Sequence, residues 1–271
     1  MEAFVGIDVA FAKKKRLPIC VATWRQRQLI PLPLNDRLAP SPPRGSGNVA
    51  SLDPEIVSKF ANDTATYLHD VQTHFGVSIR RIAIDAPSEP KLQGHNRRQA
   101  EYELDAHGIS CFTTPSLEEF EVIKHKVRAH LNAGGEESCL PHANQLWMLV
   151  GFALFQRLLL EWECIEVFPQ ATAFVLRANS THKSKTSGLE NQLWAASKFT
   201  GWPEPFDLQA LRKVVYGPLH DGLDAYLSAW VAALDSQDRS GFGRAPFDVI
   251  WVPKVELLSN PPLQPTGFAS G

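Results

Sequence analysis

The N-terminal segment Phe4-Val5-Gly6-Ile7-Asp8-Val9-Ala10 is a run of apolar and small residues that carries a single carboxylate. Its composition is typical of a short buried strand. An aspartate at the end of such a strand is costly to desolvate unless it accepts hydrogen bonds or binds a metal ion. Asp8 therefore either caps the next turn or acts as a ligand, and a ligand would need acidic partners from elsewhere in the chain.

A second apolar strand that ends on an acid is predicted at Ile79 to Asp85, followed at once by Ala86-Pro87. If this strand lies parallel to the first, Asp8 and Asp85 emerge at one carboxyl edge, where open α/β sheets bind their ligands. The sequence Asp-Ala-Pro is also typical of the start of a turn, so both interpretations stay open.

A late helix supplies two more acids. It begins near His220 and continues to about Leu234, and Asp221 and Asp224 lie three residues apart on one face of its first turn. Acids in a first turn are also favoured by the helix dipole alone. The small and apolar residues that follow predict close packing, which would push the acidic start of the helix toward a neighbouring element.

Three further charged side chains have two interpretations each. Glu166 lies inside the apolar strand Cys164 to Pro169, and it is either another site acid or a structural acid with a partner of its own. Lys183 and Lys185 lie in a polar loop and either contact a phosphate or are simply solvated. The same alternatives apply to the basic cluster 13–16, which could neutralise a polyanion.

The order of elements predicts an α/β protein. Three strands that form an antiparallel meander, a long helix, the strand 79–85 and further helix and strand units are expected. The long helix spans Asp53 to Phe75, with Asp53 as N-cap and Pro54 at its first position. A short strand is expected at Ile109 to Phe112. Residues 1–255 are predicted to form a single domain, residues 35–51 a flexible loop, and residues 256–271 a disordered tail.

Composition narrows the choice of partners and compartment. The 271 residues carry 27 Lys and Arg against 29 Asp and Glu, a net charge of −2. This balance excludes a strongly basic protein that coats nucleic acid, so any such contact must be local. The four cysteines form no CxxC pair, no secretory signal is recognised, and the longest apolar run, Leu146 to Phe155, is too short to span a bilayer. A cytoplasmic protein without a membrane partner is predicted.

The predicted positions of the acids suit catalysis with two divalent cations. Two such ions about 4 Å apart need several carboxylates from separate elements. The chain has no G-x-x-x-x-G-K-[ST] loop, no G-x-G-x-x-G loop and no Gly-x-Ser-x-Gly elbow.

Six short motifs, taken in order, resemble the ribonuclease-H-like superfamily and more closely the domain of unknown function 429 family, whose members are usually described as predicted nucleases. The motifs are Gly6-Ile7-Asp8, Ile84-Asp85-Ala86-Pro87, Arg98-Gln99-Ala100-Glu101, Glu166-Val167-Phe168-Pro169, Lys183-Ser184-Lys185 and His220-Asp221-Gly222-Leu223-Asp224-Ala225. The last of these also resembles the final helix of Holliday-junction resolvases in this superfamily.

The resemblance implies a ribonuclease-H-like mixed sheet, with an antiparallel three-strand meander plus parallel strands, flanked by helices. It implies metal-dependent hydrolysis of phosphodiester bonds in nucleic acid, with Mg²⁺ or Mn²⁺ bound by Asp8, Asp85, Asp221 and Asp224. Asp8 would bridge two ions, Asp221 would be an alternate ligand, and Glu166 and Lys183 would be further members of the catalytic site. Because the chain also resembles Holliday-junction resolvases, the resemblance is consistent with a homodimer.

Two other functions remain. A non-catalytic binding or scaffold protein could keep the same fold and a vestigial acid cluster. A phosphate-binding ATPase or sugar kinase of this superfamily would need a Gly-rich turn after Asp8, and Val9-Ala10-Phe11-Ala12 supplies none.

Overall fold

The protein is a mixed α/β structure in which helices flank a five-stranded sheet. It is seen in a computed structural model that describes residues 1–245 and 248–254. The strands are β1 Glu2–Asp8, β2 Ile19–Arg25, β3 Gln28–Pro31, β4 Ser78–Asp85, β5 Glu163–Glu166, β6 Arg239–Arg244 and β7 Asp248–Pro253. The α-helices are α1 Pro54–Phe75, α2 Gln99–Ala106, α3 Leu117–Asn132, α4 Ala143–Leu158, α5 Pro169–Val175, α6 Thr186–Thr200, α7 Leu211–Val214 and α8 Leu219–Ala233.

The strand order in the main sheet is β3-β2-β1-β4-β5. β1 pairs antiparallel with β2, and β2 with β3, which confirms the predicted meander. β4 lies parallel to β1, and β5 lies parallel to β4. β6 and β7 form a separate antiparallel ribbon, and a single parallel bridge between Val167 and Trp251 joins β7 to the chain just beyond β5.

The two faces of the sheet are covered by different helices because side chains alternate along each strand. Val5 and Ile7 of β1, with Ile82 and Ile84 of β4, pack in one core with residues of α1 and α4. Phe4 and Ala83 pack in a second core with α8 and α6. Both faces of the central strands are therefore buried toward their carboxyl ends, which is why residues 3–7 of β1 and 82–84 of β4 are all apolar or small.

Helix α8 packs directly onto β1 at Gly6. A Cβ atom at Gly6 would overlap the carbonyl oxygen of Ala225 and the amide nitrogen of Ala229, so only glycine allows this approach. At the other end of α8, Arg81 of β4 donates hydrogen bonds to the carbonyl oxygens of Ala232 and Leu234, at 2.8 and 3.0 Å. These bonds satisfy carbonyl groups that a helix end leaves without partners, and they fix α8 along the sheet.

Two segments, 109–112 and 35–51, can be compared with their predicted structure, a strand and a flexible loop. Residues 109–112 are irregular rather than a strand, since Arg97 donates to the carbonyl oxygen of Cys111 at 2.9 Å in place of a neighbouring strand. Part of the segment 35–51 makes backbone hydrogen bonds with the loop after β1, for example from Gly47 to Phe11 and from Lys14 to Gly45. Its flexibility stays a prediction, and the predicted tail 256–271 lies outside the described residues.

The N-cap of α1 is Asp53, whose carboxylate accepts from the Glu55 amide, as predicted. Among the described residues, every helix is either too short or too polar to cross a lipid bilayer.

Gly6→Ala is expected to destabilise the protein by about 3 kcal/mol or more, because the new methyl group meets backbone atoms of α8 that cannot move independently. The measurement is chemical denaturation followed by circular dichroism. Gly222→Ala in α8 is the matched control, since its Cβ would meet Val215 at an ordinary 3.6 Å. Equal free energies of unfolding for the two variants would contradict the close packing at Gly6.

Candidate metal centre

Asp8 and Asp85 lie side by side at the carboxyl edge of the sheet. They are partners in the parallel register of β1 and β4, and each is the last residue of its strand. Asp8 is two residues from Gly6, and Asp85 two residues from Ala83, so both carboxylates lie on the face that α8 covers. The register therefore confirms that these two acids emerge at the same edge.

Asp224 completes the set from the first half of α8. Its residue is only 4% exposed, whereas Asp8 and Asp85 are partly exposed. One carboxylate oxygen of each residue lies within 4.8 Å of those of the other two. Three separate elements thus bring three carboxylates to one point; we call Asp8, Asp85 and Asp224 the acid set.

One oxygen of the acid set is buried without a partner. Asp224 Oδ2 accepts a hydrogen bond from Lys183 Nζ, but Asp224 Oδ1 has no hydrogen-bond partner among the described residues. A buried carboxylate oxygen left in this state costs free energy, which a bound cation would recover. Carboxylate oxygens are the ligands that hard divalent cations such as Mg²⁺ prefer, so the donor atoms fit such an ion.

The electrostatics of the acid set also favour a cation. Burial raises the pKa of Asp8 well above its usual range, and the charges of Asp224 and Asp85 raise it further. Burial, assisted by Asp224, raises the pKa of Asp85 to about 8. Burial raises the pKa of Asp224 too, although Lys183 opposes that rise. Desolvated like charges at this distance disfavour full ionisation unless positive charge is added.

Lys183 supplies part of that positive charge from the loop before α6. Burial alone would lower the pKa of this lysine, but the interactions with Asp224, Asp85 and Asp8 raise it. Lys183 is thus held as an ammonium ion against the acid set. Lys185, the other lysine that the sequence analysis considered as a phosphate contact, is exposed at the N-terminus of α6.

Asp221 lies near the acid set but outside the group of three close oxygens. It is in the first turn of α8, where its Oδ1 lies 3.0 Å from His220 Nε2. Burial raises the pKa of Asp221, while His220 and Lys15 oppose that rise. Its charge still acts on Asp8 and Asp224, so it remains within electrostatic reach of both.

Glu166 is on the other face of the sheet from the acid set. It pairs in register with Ile84, whose side chain faces α1 and α4. Its carboxylate forms a two-bond ion pair with Arg98, at 2.8 and 2.7 Å, and accepts from the Ser88 amide at 2.9 Å. The structure therefore places Glu166 in a satisfied structural pair beside Asp85.

Sequence reasoning did not nominate Arg98, which organises this second network. Its side chain also lies 3.2 Å from Asp248 of β7, and the Asp248 carboxylate accepts from the Gln99 amide at the start of α2. Burial alone would lower the pKa of Arg98, but Glu166 and Asp248 raise it above its usual range. Arg98 thereby ties α2, β5 and β7 together. The only sequence feature that pointed to Arg98 was its place in the motif Arg98-Gln99-Ala100-Glu101. That motif does not predict where the Arg98 side chain points.

A family model described as protein of unknown function (DUF429) matches residues 6–244. Since the match covers most of the chain, the chain belongs to this family. Comparison with the curated proteins and with the solved structures gave no match.

The stability of the metal-free protein is expected to fall as the pH rises from about 4 to about 8. The ordinary pKa of Asp85 is 3.8 and its pKa in the folded protein is about 8, so the native state holds this proton more tightly than the unfolded chain. In EDTA we expect a Tm lower by about 5 °C or more at pH 8 than at pH 5. Thermal scans of wild type and Asp85→Asn measure this.

Asp85→Asn should reduce the pH dependence, whereas Asp70→Asn, an exposed aspartate on α1, should leave it unchanged. A wild-type Tm that does not fall between the two pH values would contradict the repulsion within the acid set.

Arg98→Met is expected to destabilise the protein by about 3 kcal/mol or more, because it leaves the Glu166 carboxylate buried without its counter-charge. The double variant Arg98→Met with Glu166→Leu should recover much of this loss, since an apolar pair has no charge to desolvate. Denaturant unfolding of the single and double variants is the measurement. Equal losses in both would show that the pair does not stabilise the site in this way.

Proposed function

Starting from membership of this family, we propose that the chain hydrolyses phosphodiester bonds of nucleic acid with the help of Mg²⁺ or Mn²⁺. The chain would then be a hydrolase of the nuclease class. One observation carries it: three carboxylates from β1, β4 and α8 converge within 4.8 Å, and one of their buried oxygens has no partner among the described residues. Separate rigid elements are what a precise metal centre requires.

The acid set would hold the metal ions. Asp8 would be the bridging ligand, and Asp85 and Asp224 would complete the coordination. Asp221, one turn earlier in α8, would be an alternate ligand. When bound, Mg²⁺ or Mn²⁺ activates a water molecule and stabilises the charge that develops on the phosphate oxygens.

Other residues of the chain would manage charge and position. The Lys183 ammonium holds Asp224 by a hydrogen bond to Oδ2, which orients Oδ1 and reduces the repulsion within the acid set. Lys13, Lys14 and Lys15 are exposed on the loop that follows Asp8, so they can contact phosphates next to the bond that is cleaved. These contacts are local, which agrees with the slightly acidic net charge of −2.

We also propose that the sheet is ribonuclease-H-like. Support comes from the strand order β3-β2-β1-β4-β5, with an antiparallel meander followed by parallel strands, as the resemblance implies. Acids at the ends of β1 and β4 and in the last long helix occupy the expected places in that order. The homodimer stays a prediction.

The second candidate is a non-catalytic binding or scaffold protein with the same fold. The ion pair between Lys183 and Asp224 favours it, because a lysine that already neutralises the acid set reduces the need for a metal ion. Metal binding separates the two functions.

Mn²⁺ titrated calorimetrically into metal-free wild type is expected to bind specifically, and Asp8→Asn is expected to lose that binding while it keeps its fold. Asp70→Asn, remote from the acid set on α1, is the control and should bind as wild type does. No binding in wild type, or equal binding in Asp8→Asn, would favour the scaffold function.

Metal-dependent cleavage of nucleic acid by wild type should fall by about 100-fold or more in Asp8→Asn, since a ligand of the metal is removed. Gel assays with Mg²⁺ and Mn²⁺ measure the rate. Cleavage by Asp8→Asn at the wild-type rate would contradict the proposal.

A further inference from the structure

Trp147 of α4 lies at the carboxyl edge of the sheet and lines two cavities. The smaller, about 60 Å³ in volume, adjoins the acid set through Asp85. The larger, about 410 Å³, is bounded by the loop from Val9 to Lys13. The ring therefore lies near the segments that follow β1 and β4, the two strands that carry Asp8 and Asp85.

Close packing of α4 sets the place of Trp147. A Cβ at Gly151 would lie 2.5 Å from the Cβ of Ala86, the residue after Asp85, so glycine lets α4 approach the end of β4. Trp147 is four residues earlier on the same face of the helix, one turn away. Its Nε1 donates to the carbonyl oxygen of Asn144 at 2.9 Å. The polar atom of the indole is thus satisfied within α4, and the ring is partly exposed.

Two more aromatic rings line the smaller cavity with Trp147. Phe112 and Phe168 line the smaller cavity together with Asp85. Phe112 is 56% exposed, so its ring is open to a ligand. Aromatic faces next to the acid set can accept flat apolar rings.

Positive charge lies at the far side of the same surface. Lys13 lines the larger cavity together with Trp147 and one acid, Glu137, and Lys14 and Lys15 continue the exposed basic loop. An aromatic platform beside a basic segment is the arrangement with which proteins bind single-stranded nucleic acid, because bases stack on the rings and lysines neutralise the phosphates.

We propose that Trp147 and Phe112 stack unpaired bases of a single-stranded nucleic acid segment, whose backbone passes from the Lys13–Lys15 loop to the acid set. This inference rests on the proposed function in taking the acid set as the place of the phosphate. It adds the substrate class: the strand is unpaired at the site. In a duplex the base faces are stacked on one another and cannot reach the indole.

The test measures binding without metal, so that it does not depend on the metal centre. Fluorescein-labelled single strands of DNA and of RNA, and a DNA duplex of the same sequence, are titrated with the full chain in EDTA at low salt, and fluorescence anisotropy gives the Kd. We expect single strands to bind more tightly than the duplex. Comparison of the Kd values for the DNA and RNA strands shows which of the two nucleic acids the site prefers.

Trp147→Leu is expected to weaken single-strand binding about tenfold, the effect of losing one stacked base. Trp147→Phe keeps an aromatic face and should stay within about threefold of wild type. Trp194→Leu is the matched control, because Trp194 is 51% exposed on α6 and packs against Phe206. It should bind as wild type does.

The inference is overturned if Trp147→Leu binds as wild type and Trp194→Leu do, if Trp147→Phe is as weak as Trp147→Leu, or if the wild type does not prefer single strands. Its failure is distinct from failure of the proposed function. If binding depends on Trp147 but no metal-dependent cleavage is detected, only the proposed nuclease activity is contradicted. If Asp8→Asn loses cleavage while Trp147→Leu binds and cleaves as the wild type does, only the stacking role of Trp147 is contradicted.

Discussion

The structure depends on the contact between the backbone of α8 and Gly6 in the central strand β1. Without a side chain at position 6, the carbonyl oxygen of Ala225 and the amide of Ala229 lie directly against the sheet. This contact brings Asp224, one residue before Ala225, to the end of the strand where Asp8 lies. A helix held away by even one methyl group would separate oxygens that now lie within 4.8 Å, so one glycine controls the geometry of the acid set.

Bringing three carboxylates together has an electrostatic cost that the rest of the fold must offset. Lys183 compensates part of it on the α8 face. On the opposite face, Arg98 and Glu166 form a neutral pair next to Asp85, and Asp248 links the pair to β7. The Glu166 charge still raises the pKa of Asp85, and its hydrogen bond from the Ser88 amide fixes the loop after β4. The edge of the sheet therefore has acids on one face and an aromatic surface around Trp147 on the other.

Much of the fold follows from local sequence patterns. The meander and the parallel strand β4 were predictable because each strand is short, apolar and bounded by turn residues. The start of α1 was predictable because Asp53 and Pro54 are a local capping signal. Residues 109–112 were wrongly predicted as a strand, since their apolar content is local but their hydrogen-bond partner, Arg97, is not a strand. A local pattern predicts which secondary structure a segment can form. It does not predict which other part of the chain that segment contacts.

The sequence by itself determined that two acids end two buried strands and that two more begin a late helix, because alternation and helical spacing are properties of consecutive residues. Only the tertiary structure decided which acids meet. The register of β1 against β4 places Asp8 opposite Asp85, and the packing of α8 adds Asp224 and leaves Asp221 aside. It also directed Glu166 to the other face, where Arg98 binds it. These outcomes depend on contacts between residues far apart in the chain, which spacing along one segment cannot specify.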